Sequence, residues 1–191
     1  KDLPNVRVAP DIVFSMDTSN VKITNRNRAI ISVISCDYKF NGKYVEEYEE
    51  KIIELIKFLQ EKEYEICLMS FCKKEKDEEA IEKILKKCPV NLKEKIQTYY
   101  YRGNVEEALN IIGDSKLVIG SRFHANIIGM VLGKAIIPIL YSDKTKHVIE
   151  DMGVDVKMMD IRDMDKFNIK EITEEDLNNV IDVTKQKEES K

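Results

Sequence analysis

Short apolar, β-rich runs alternate with helical patterns along most of this chain, and this alternation is the feature that most constrains its fold. The first run, Arg28 to Ser35, is followed by apolar residues at helical spacing from about Lys43 to Lys62. Such alternation favours a parallel sheet covered by helices. We therefore expect an α/β fold, a Rossmann-like three-layer arrangement around a parallel sheet.

The same alternation predicts the remaining elements and the domain limits. Further strands are expected at 64–71, 96–101, 117–119, 135–140 and 156–161, and further helices at 78–87, 105–112, 122–132, 144–152 and 174–185. We expect residues 28–185 to form the domain and the polar residues 186–191 to be a frayed tail. Residues 1–27 are expected to be an irregular connector that enters from a missing N-terminal lobe.

The strongest functional signal is a short polar motif, Gly120 to Asn126, which directly follows a predicted strand. Gly120 allows a tight turn, and we expect Ser121 to cap the next helix. Arg122 and His124 then fall in the first helical turn, where free N–H groups and the helix dipole favour anions. The motif therefore predicts an anion-binding corner at the carboxyl end of a strand, where parallel α/β sheets bind their ligands.

Composition excludes several classes of protein. The 191 residues carry a net charge of only −4 although 35% are charged, and Lys and Glu are interspersed along helix faces. With no basic stripe, we expect no nucleic-acid partner. No apolar run is long enough to span a bilayer and no signal peptide is evident, so we expect a soluble, cytoplasmic protein with reduced cysteines.

Several motifs of cofactor and metal enzymes do not occur in the sequence. The predicted first strand is followed by Ser35 to Lys39 rather than by a glycine-rich dinucleotide fingerprint, which argues against hydride transfer. A P-loop, metal-ligand spacing and a hydrolase-like pair of carboxylates are likewise not evident, and the chain has only two histidines. We therefore expect no cofactor and no metal.

The motif and the residues around it resemble the C-terminal lobe of the polysaccharide pyruvyltransferase family. The family's Ser-Arg-(Leu/Phe)-His-Ala is found at Ser121–Ala125, its Tyr-x-x-Lys at Tyr141–Lys144, and its Pro-Asp-x-x-Phe at Pro10–Phe14. The chain departs from the family pattern at Ala135, where proline is common, and at Met152, where leucine is usual. The resemblance covers roughly residues 9 to 155 and implies the second lobe of a GT-B fold.

The resemblance also implies an activity. Members of the family transfer an enolpyruvyl unit from phosphoenolpyruvate to a sugar hydroxyl, which forms a pyruvate ketal in bacterial cell-surface polysaccharide synthesis. The implied partners are phosphoenolpyruvate, as donor substrate, and a sugar or lipid-linked saccharide acceptor, with peripheral contact to a membrane-linked acceptor. Because both lobes of such an enzyme contribute to its active site, we expect the isolated chain to be inactive.

On this interpretation, His124 is the general acid that protonates the donor, and Arg122 holds an oxyanion through its planar guanidinium. Other residues near the ends of the predicted strands are candidate substrate contacts. These further candidates are Ser121, Lys144, Arg102 and Asn104.

Two alternative functions remain open. In a GT-B glycosyltransferase, the same helix start would receive the diphosphate of a sugar nucleotide, and Glu150 is available to bind the ribose. The other alternative is a lobe without catalytic activity that serves as a sugar-binding or interaction module.

Overall fold

In a computed structural model, which describes residues 9–190, six parallel strands form one continuous sheet. Their order across the sheet is β3-β2-β1-β4-β5-β6. The strands are β1 (Arg28–Ser32), β2 (Glu65–Ser70), β3 (Ile96–Tyr100), β4 (Leu117–Gly120), β5 (Ala135–Leu140) and β6 (Met159–Asp160). The predicted α/β fold with a parallel sheet is confirmed.

Helices cover both faces of the sheet. The α-helices of the described residues are α1 (Cys36–Phe40), α2 (Val45–Glu61), α3 (Asp77–Lys87), α4 (Val90–Lys93), α5 (Val105–Gly113), α6 (Phe123–Val131), α7 (Asp143–Met152) and α8 (Thr184–Glu189). Short 3-10 helices occur at Ile12–Ser15, Lys73–Glu75, Ile161–Lys166, Ile169–Glu171 and Asp176–Asn178. One apolar core lies between the sheet and α2 and α3, and a second lies between the sheet and α5, α6 and α7.

The central strand β1 shows why the sequence folds into three layers. Its residues are all buried, with Ala29 and Ile31 in one core and Ile30 in the other. Successive side chains of a strand point to opposite faces, so a strand buried on both faces reads as a continuous apolar run. Burial of both faces therefore explains the uninterrupted run that the sequence shows here.

The strand order places a switch point between β1 and β4. The chain runs outward from β1 to β3 and then returns to the centre, where β4 pairs with β1 so that Ser32 lies opposite Gly120. The connections after these neighbouring strands lead in opposite directions. In open α/β sheets the crevice at such a point, outside the carboxyl ends of the strands, is where ligands bind.

The strands and helices predicted for the centre of the chain match the structure closely, but two elements predicted near the C-terminus do not. The strand at 135–140 matches β5, whereas the predicted strand at 156–161 shrinks to two residues. The predicted helix at 174–185 is wrong. Asp176 accepts hydrogen bonds from the backbone and hydroxyl of Thr173, and Val180 bridges to Ala135. Such local side-chain bonds compete with a helix.

A helix forms later instead, at α8, and its last residues fall within the segment that the sequence predicted to fray. The side chain of Asp182 accepts from the backbone N–H of Thr184, at the first residue of this helix. Ser190, just after α8, is buried, and its hydroxyl bonds to the carbonyl of Asp11. This end of the chain is therefore packed against the segment near residue 11.

Residues 1–8 of the predicted connector lie outside the described residues, and the remainder of the segment before β1, residues 9–27, is packed onto the domain. Within the described part of it, Phe14 is buried in the core beside α6. The buried ammonium of Lys134 donates to the carbonyl of Thr24 at 2.6 Å and to that of Gly113, at the end of α5, at 2.8 Å. These contacts hold the segment against the helical layer that carries the polar motif.

Tyr48 of α2 joins the ends of the two central strands. Its hydroxyl accepts from the backbone N–H of Ile34, 3.1 Å away, and shares a 2.9 Å hydrogen bond with the hydroxyl of Ser121. Burial raises the pKa of Tyr48, so the phenol stays neutral in this position. Tyr48 thus holds α2 against the switch point.

We predict that Tyr48→Phe lowers the free energy of unfolding by about 2 kcal/mol, because it leaves two buried polar groups without a partner. Urea denaturation followed by circular dichroism measures this change. Tyr38→Phe is the control, since Tyr38 is half exposed. Equal stability of the two variants would show that the buried hydroxyl does not contribute.

Candidate functional site

An apolar cavity at the carboxyl edge of the sheet, next to the switch point, reaches the polar motif. Its volume is about 450 Å³. Residues that follow β2, β3, β4 and β5 line it together with α5, α6 and Met16. The lining is Met16, Phe71, Cys72, Tyr101, Val105, Ala108, Leu109, Arg122, Phe123, His124, Ile128, Tyr141 and Lys144.

The turn from β4 into α6 is fixed by Asn126. Its buried side-chain amide donates to the carbonyl of Gly120 at 2.9 Å and to that of Arg122 at 3.2 Å. Asn126 also lies so close to Gly120 that a Cβ at this position would collide with its amide. Glycine is therefore required at the end of β4, and the amide sets the path of the backbone that carries the polar motif.

The prediction that Ser121 caps this helix is wrong. The N-cap position is taken by Arg122, with an extended backbone, and α6 begins at Phe123. Ser121 is buried, and its hydroxyl bonds to Tyr48 rather than lining the cavity. Because the backbone is still extended at Arg122, the side chain of Ser121 points into the core. Ser121 therefore does not face the ligand cavity.

Arg122 is held by a buried carboxylate from the connection that follows β2. Its side chain is only 11% exposed, and its Nε donates to Oδ2 of Asp77 at 3.0 Å while one terminal nitrogen donates to Oδ1. Burial lowers the pKa of Arg122, but the hydrogen bonds with Asp77 and Glu75 outweigh it and raise the pKa overall. The guanidinium is therefore a fixed, permanently charged group at the cavity wall.

Asp77, the first residue of α3, organises more than this arginine. Its side chain is fully buried and Oδ2 also accepts from the backbone N–H groups of Phe71 and Cys72, at 3.1 and 2.8 Å. A carboxylate that is buried this deeply is stable only when it is paired and hydrogen-bonded. Asp77 thus joins the loop after β2 to Arg122 at the end of β4.

A second carboxylate, Glu75, lies on the other side of the guanidinium. It accepts from a terminal nitrogen of Arg122 and, through the same oxygen, pairs with Lys39 Nζ at 2.6 Å. Burial raises the pKa of Glu75, but Lys39 and Arg122 more than offset this and lower it overall. Lys39 also lies over the ring of Tyr141, 4.9 Å from its centroid, so these contacts link the loops after β1, β2, β4 and β5.

His124 and Lys144 form the more open part of the site. His124 is 54% exposed, and its Nε2 lies 3.8 Å from Oδ2 of Asp11, while Lys144 Nζ lies 4.0 Å from the same oxygen. Lys144 Nζ also lies 3.8 Å from the ring centroid of Phe123. Asp11 therefore sits between the imidazole and the ammonium, at the side of the site where solvent can reach both.

The other two candidate contacts, Arg102 and Asn104, do not line this cavity. Arg102 is exposed and forms a two-pronged ion pair with Glu78, on the surface of α3. Asn104 caps α5, as its sequence position suggested, by accepting from the backbone N–H of Glu107 at 3.1 Å. The structure therefore brings together Arg122, His124 and Lys144 of the predicted site residues.

Sequence reasoning missed the carboxylates and the lysine that surround Arg122. Asp77, Glu75 and Lys39 lie far from the motif in the chain and meet it only because β1, β2 and β4 are neighbours in the sheet. A signal was available. Each of the three residues follows a predicted strand within a few positions, and the connections after adjacent parallel strands meet at one edge.

Glu150, which a sugar-nucleotide site would use to bind ribose, lies on α7 and does not line the cavity. Its carboxylate is half exposed and pairs with Lys146 at 3.7 Å.

Within the described part of the chain, none of the helices combines the length and apolar character needed to cross a bilayer.

A family model described as "Polysaccharide pyruvyl transferase" matches residues 1–143 of the 191-residue chain. The matched region includes Arg122 and His124 and ends one residue before Lys144. No curated protein matches the chain.

We predict that Asp77→Asn lowers the free energy of unfolding by about 3 kcal/mol, because it leaves Arg122 buried without its main counter-charge. Urea denaturation measures the change. The matched control is Glu78→Gln, one residue further along α3, since its pair with Arg102 is exposed and contributes little. A similar small effect of both substitutions would contradict the role assigned to Asp77.

Proposed function

Since the chain belongs to the polysaccharide pyruvyl transferase family, a family of transferases, we propose that its cavity binds phosphoenolpyruvate and that the reaction transfers the enolpyruvyl unit to a sugar. The observation that supports this best is the meeting of Arg122, His124 and Lys144 on one cavity wall. Phosphoenolpyruvate carries a phosphate and a carboxylate, and such a ligand needs several fixed cationic donors.

The proposed reaction makes clear what the site has to supply. The methylene carbon of the donor takes up a proton, two sugar hydroxyl oxygens bond to the neighbouring carbon, and the bond from that carbon to the phosphate oxygen breaks. The sugar loses two hydroxyl protons. One of them matches the proton that turns the methylene carbon into a methyl group, and the other leaves with inorganic phosphate. The site therefore needs a proton donor, a proton acceptor and cations that stabilise the leaving phosphate.

His124 is the proposed proton donor to the methylene carbon. Its imidazole lines the cavity and is open to solvent, so it can be reprotonated after each turnover. Oδ2 of Asp11 lies 3.8 Å from its Nε2. His124 lines the cavity, whereas His147 lies on α7 outside the cavity lining. His124 is therefore the better-placed proton donor of the two histidines.

Lys144 and Arg122 are the proposed anion contacts. Lys144 extends over Phe123 and leaves its ammonium accessible, with Asp11 as a distant partner at 4.0 Å. Arg122 gives three of its five N–H groups to Asp77 and Glu75, which leaves two for a ligand. A buried, firmly paired arginine beside an exposed lysine suits a donor whose phosphate must be released.

We predict that phosphoenolpyruvate binds the chain and that Lys144→Met weakens binding about tenfold, the effect of one charge-assisted hydrogen bond. Calorimetric titration measures this. Lys146→Met is the matched control, since Lys146 lies on the same helix and pairs with Glu150 outside the cavity. Binding of a uridine diphosphate sugar, with none of phosphoenolpyruvate, would instead favour glycosyl transfer.

We further predict that, in a protein that carries both lobes, His124→Gln leaves the affinity for phosphoenolpyruvate almost unchanged. The substitution should slow the release of inorganic phosphate in the presence of a saccharide acceptor about 100-fold or more, the usual contribution of a general acid. His147→Gln is the control, because it removes the other histidine of the chain. Equal rates for the two variants would remove His124 from the mechanism.

A further inference from the structure

The charges that surround the cavity nearly cancel, which raises the question of how an anion binds there. The ion pairs at this edge involve three permanent cations, Arg122, Lys39 and Lys144, and three carboxylates. These carboxylates are Asp11, Glu75 and Asp77. A phosphate ester is strongly repelled by carboxylates at close range, so its binding is favoured when one of them moves away.

The three carboxylates differ in how firmly they are held. Asp77 is fully buried and accepts hydrogen bonds from two backbone N–H groups as well as from Arg122. Asp11 uses Oδ1 to accept from the backbone N–H of Val13 and lies 3.8 Å or more from its cationic neighbours. It therefore neither moves easily nor occupies the donors of Arg122.

Glu75 has the opposite properties. It lies at the end of a three-residue 3-10 helix, its side chain is 26% exposed, and the contacts of its carboxylate are with the side chains of Lys39 and Arg122. A rotation of this side chain toward solvent would leave the backbone in place. It would also free one ammonium and one guanidinium N–H group that already point to a common oxygen.

We propose that Lys39 and Arg122 form a phosphate subsite, which Glu75 occupies in this structure and which the phosphate of a ligand takes by displacing Glu75. A phosphate dianion carries more charge than a carboxylate and has three terminal oxygens, so it can satisfy both cations where Glu75 uses a single oxygen. Lys39 thereby becomes a substrate-binding residue. The identification of this ligand as phosphoenolpyruvate rests on the proposed function.

The subsite also accounts for the position of Lys39. Its ammonium is 2.6 Å from Glu75 and 4.9 Å from the ring centroid of Tyr141, which lines the cavity. An aromatic face holds an ammonium without neutralising it. Tyr141 therefore keeps Lys39 next to the cavity when Glu75 leaves, and the released charge remains available to the phosphate.

Calorimetric titration of inorganic phosphate and of phosphoenolpyruvate into Glu75 variants tests the proposal. We expect Glu75→Gln and Glu75→Ala to bind both ligands about tenfold more tightly than the unsubstituted chain, because the competing charge is lost. Lys39→Met should bind both about tenfold more weakly. Glu78→Gln, which removes the same charge from the nearby exposed pair with Arg102, should leave both affinities unchanged.

Each outcome separates the subsite from the proposed function. If both Glu75 variants bind phosphate no more tightly than Glu78→Gln does, the displacement is wrong, even if phosphoenolpyruvate binds well. If Lys39→Met binds phosphate normally, Lys39 is not part of the subsite. If phosphate binding responds as expected while phosphoenolpyruvate does not bind, the subsite stands and the proposed donor is wrong.

Discussion

The buried ion pair between Arg122 and Asp77 is the interaction on which the rest of the site depends. It joins the end of β4 to the loop after β2, across the switch point at β1. Because a buried charge is stable only with a well-placed partner, each residue requires the other. Asp77 also holds the backbone of Phe71 and Cys72, so one carboxylate fixes both the cation and the cavity wall beside it.

This pairing changes the picture of an open anion-binding corner. Arg122 does not offer a free fork to a ligand, because Asp77 and Glu75 take three of its N–H groups. This edge of the sheet instead combines a rigid, partly neutralised arginine with two lysines, of which Lys144 lines the cavity, and an exposed imidazole. Anion binding then becomes an exchange between a carboxylate of the chain and the phosphate of the ligand, which favours ligands of higher charge.

The sequence was sufficient for the sheet and for the motif, but not for the partners of the motif. The alternation of apolar runs determined β5 to the residue, since strands buried on both faces leave a clear pattern. The side-chain bonds of Asp176 displaced the predicted C-terminal helix, because local hydrogen bonds outweighed its weak periodicity. Ser121 turned into the core because Arg122 took the N-cap position. Glu75 and Asp77 could not be paired with Arg122 without the strand order, which the sequence does not state.

A crystal structure of the chain with phosphoenolpyruvate would test the central claim most directly. We expect the donor in the cavity, with its anionic groups in contact with Arg122, Lys39 and Lys144 and with the pair between Arg122 and Asp77 intact. Donor bound away from this edge of the sheet, or an Arg122 that has left Asp77 to reach it, would contradict the assignment of this cavity as a donor site built on that buried pair.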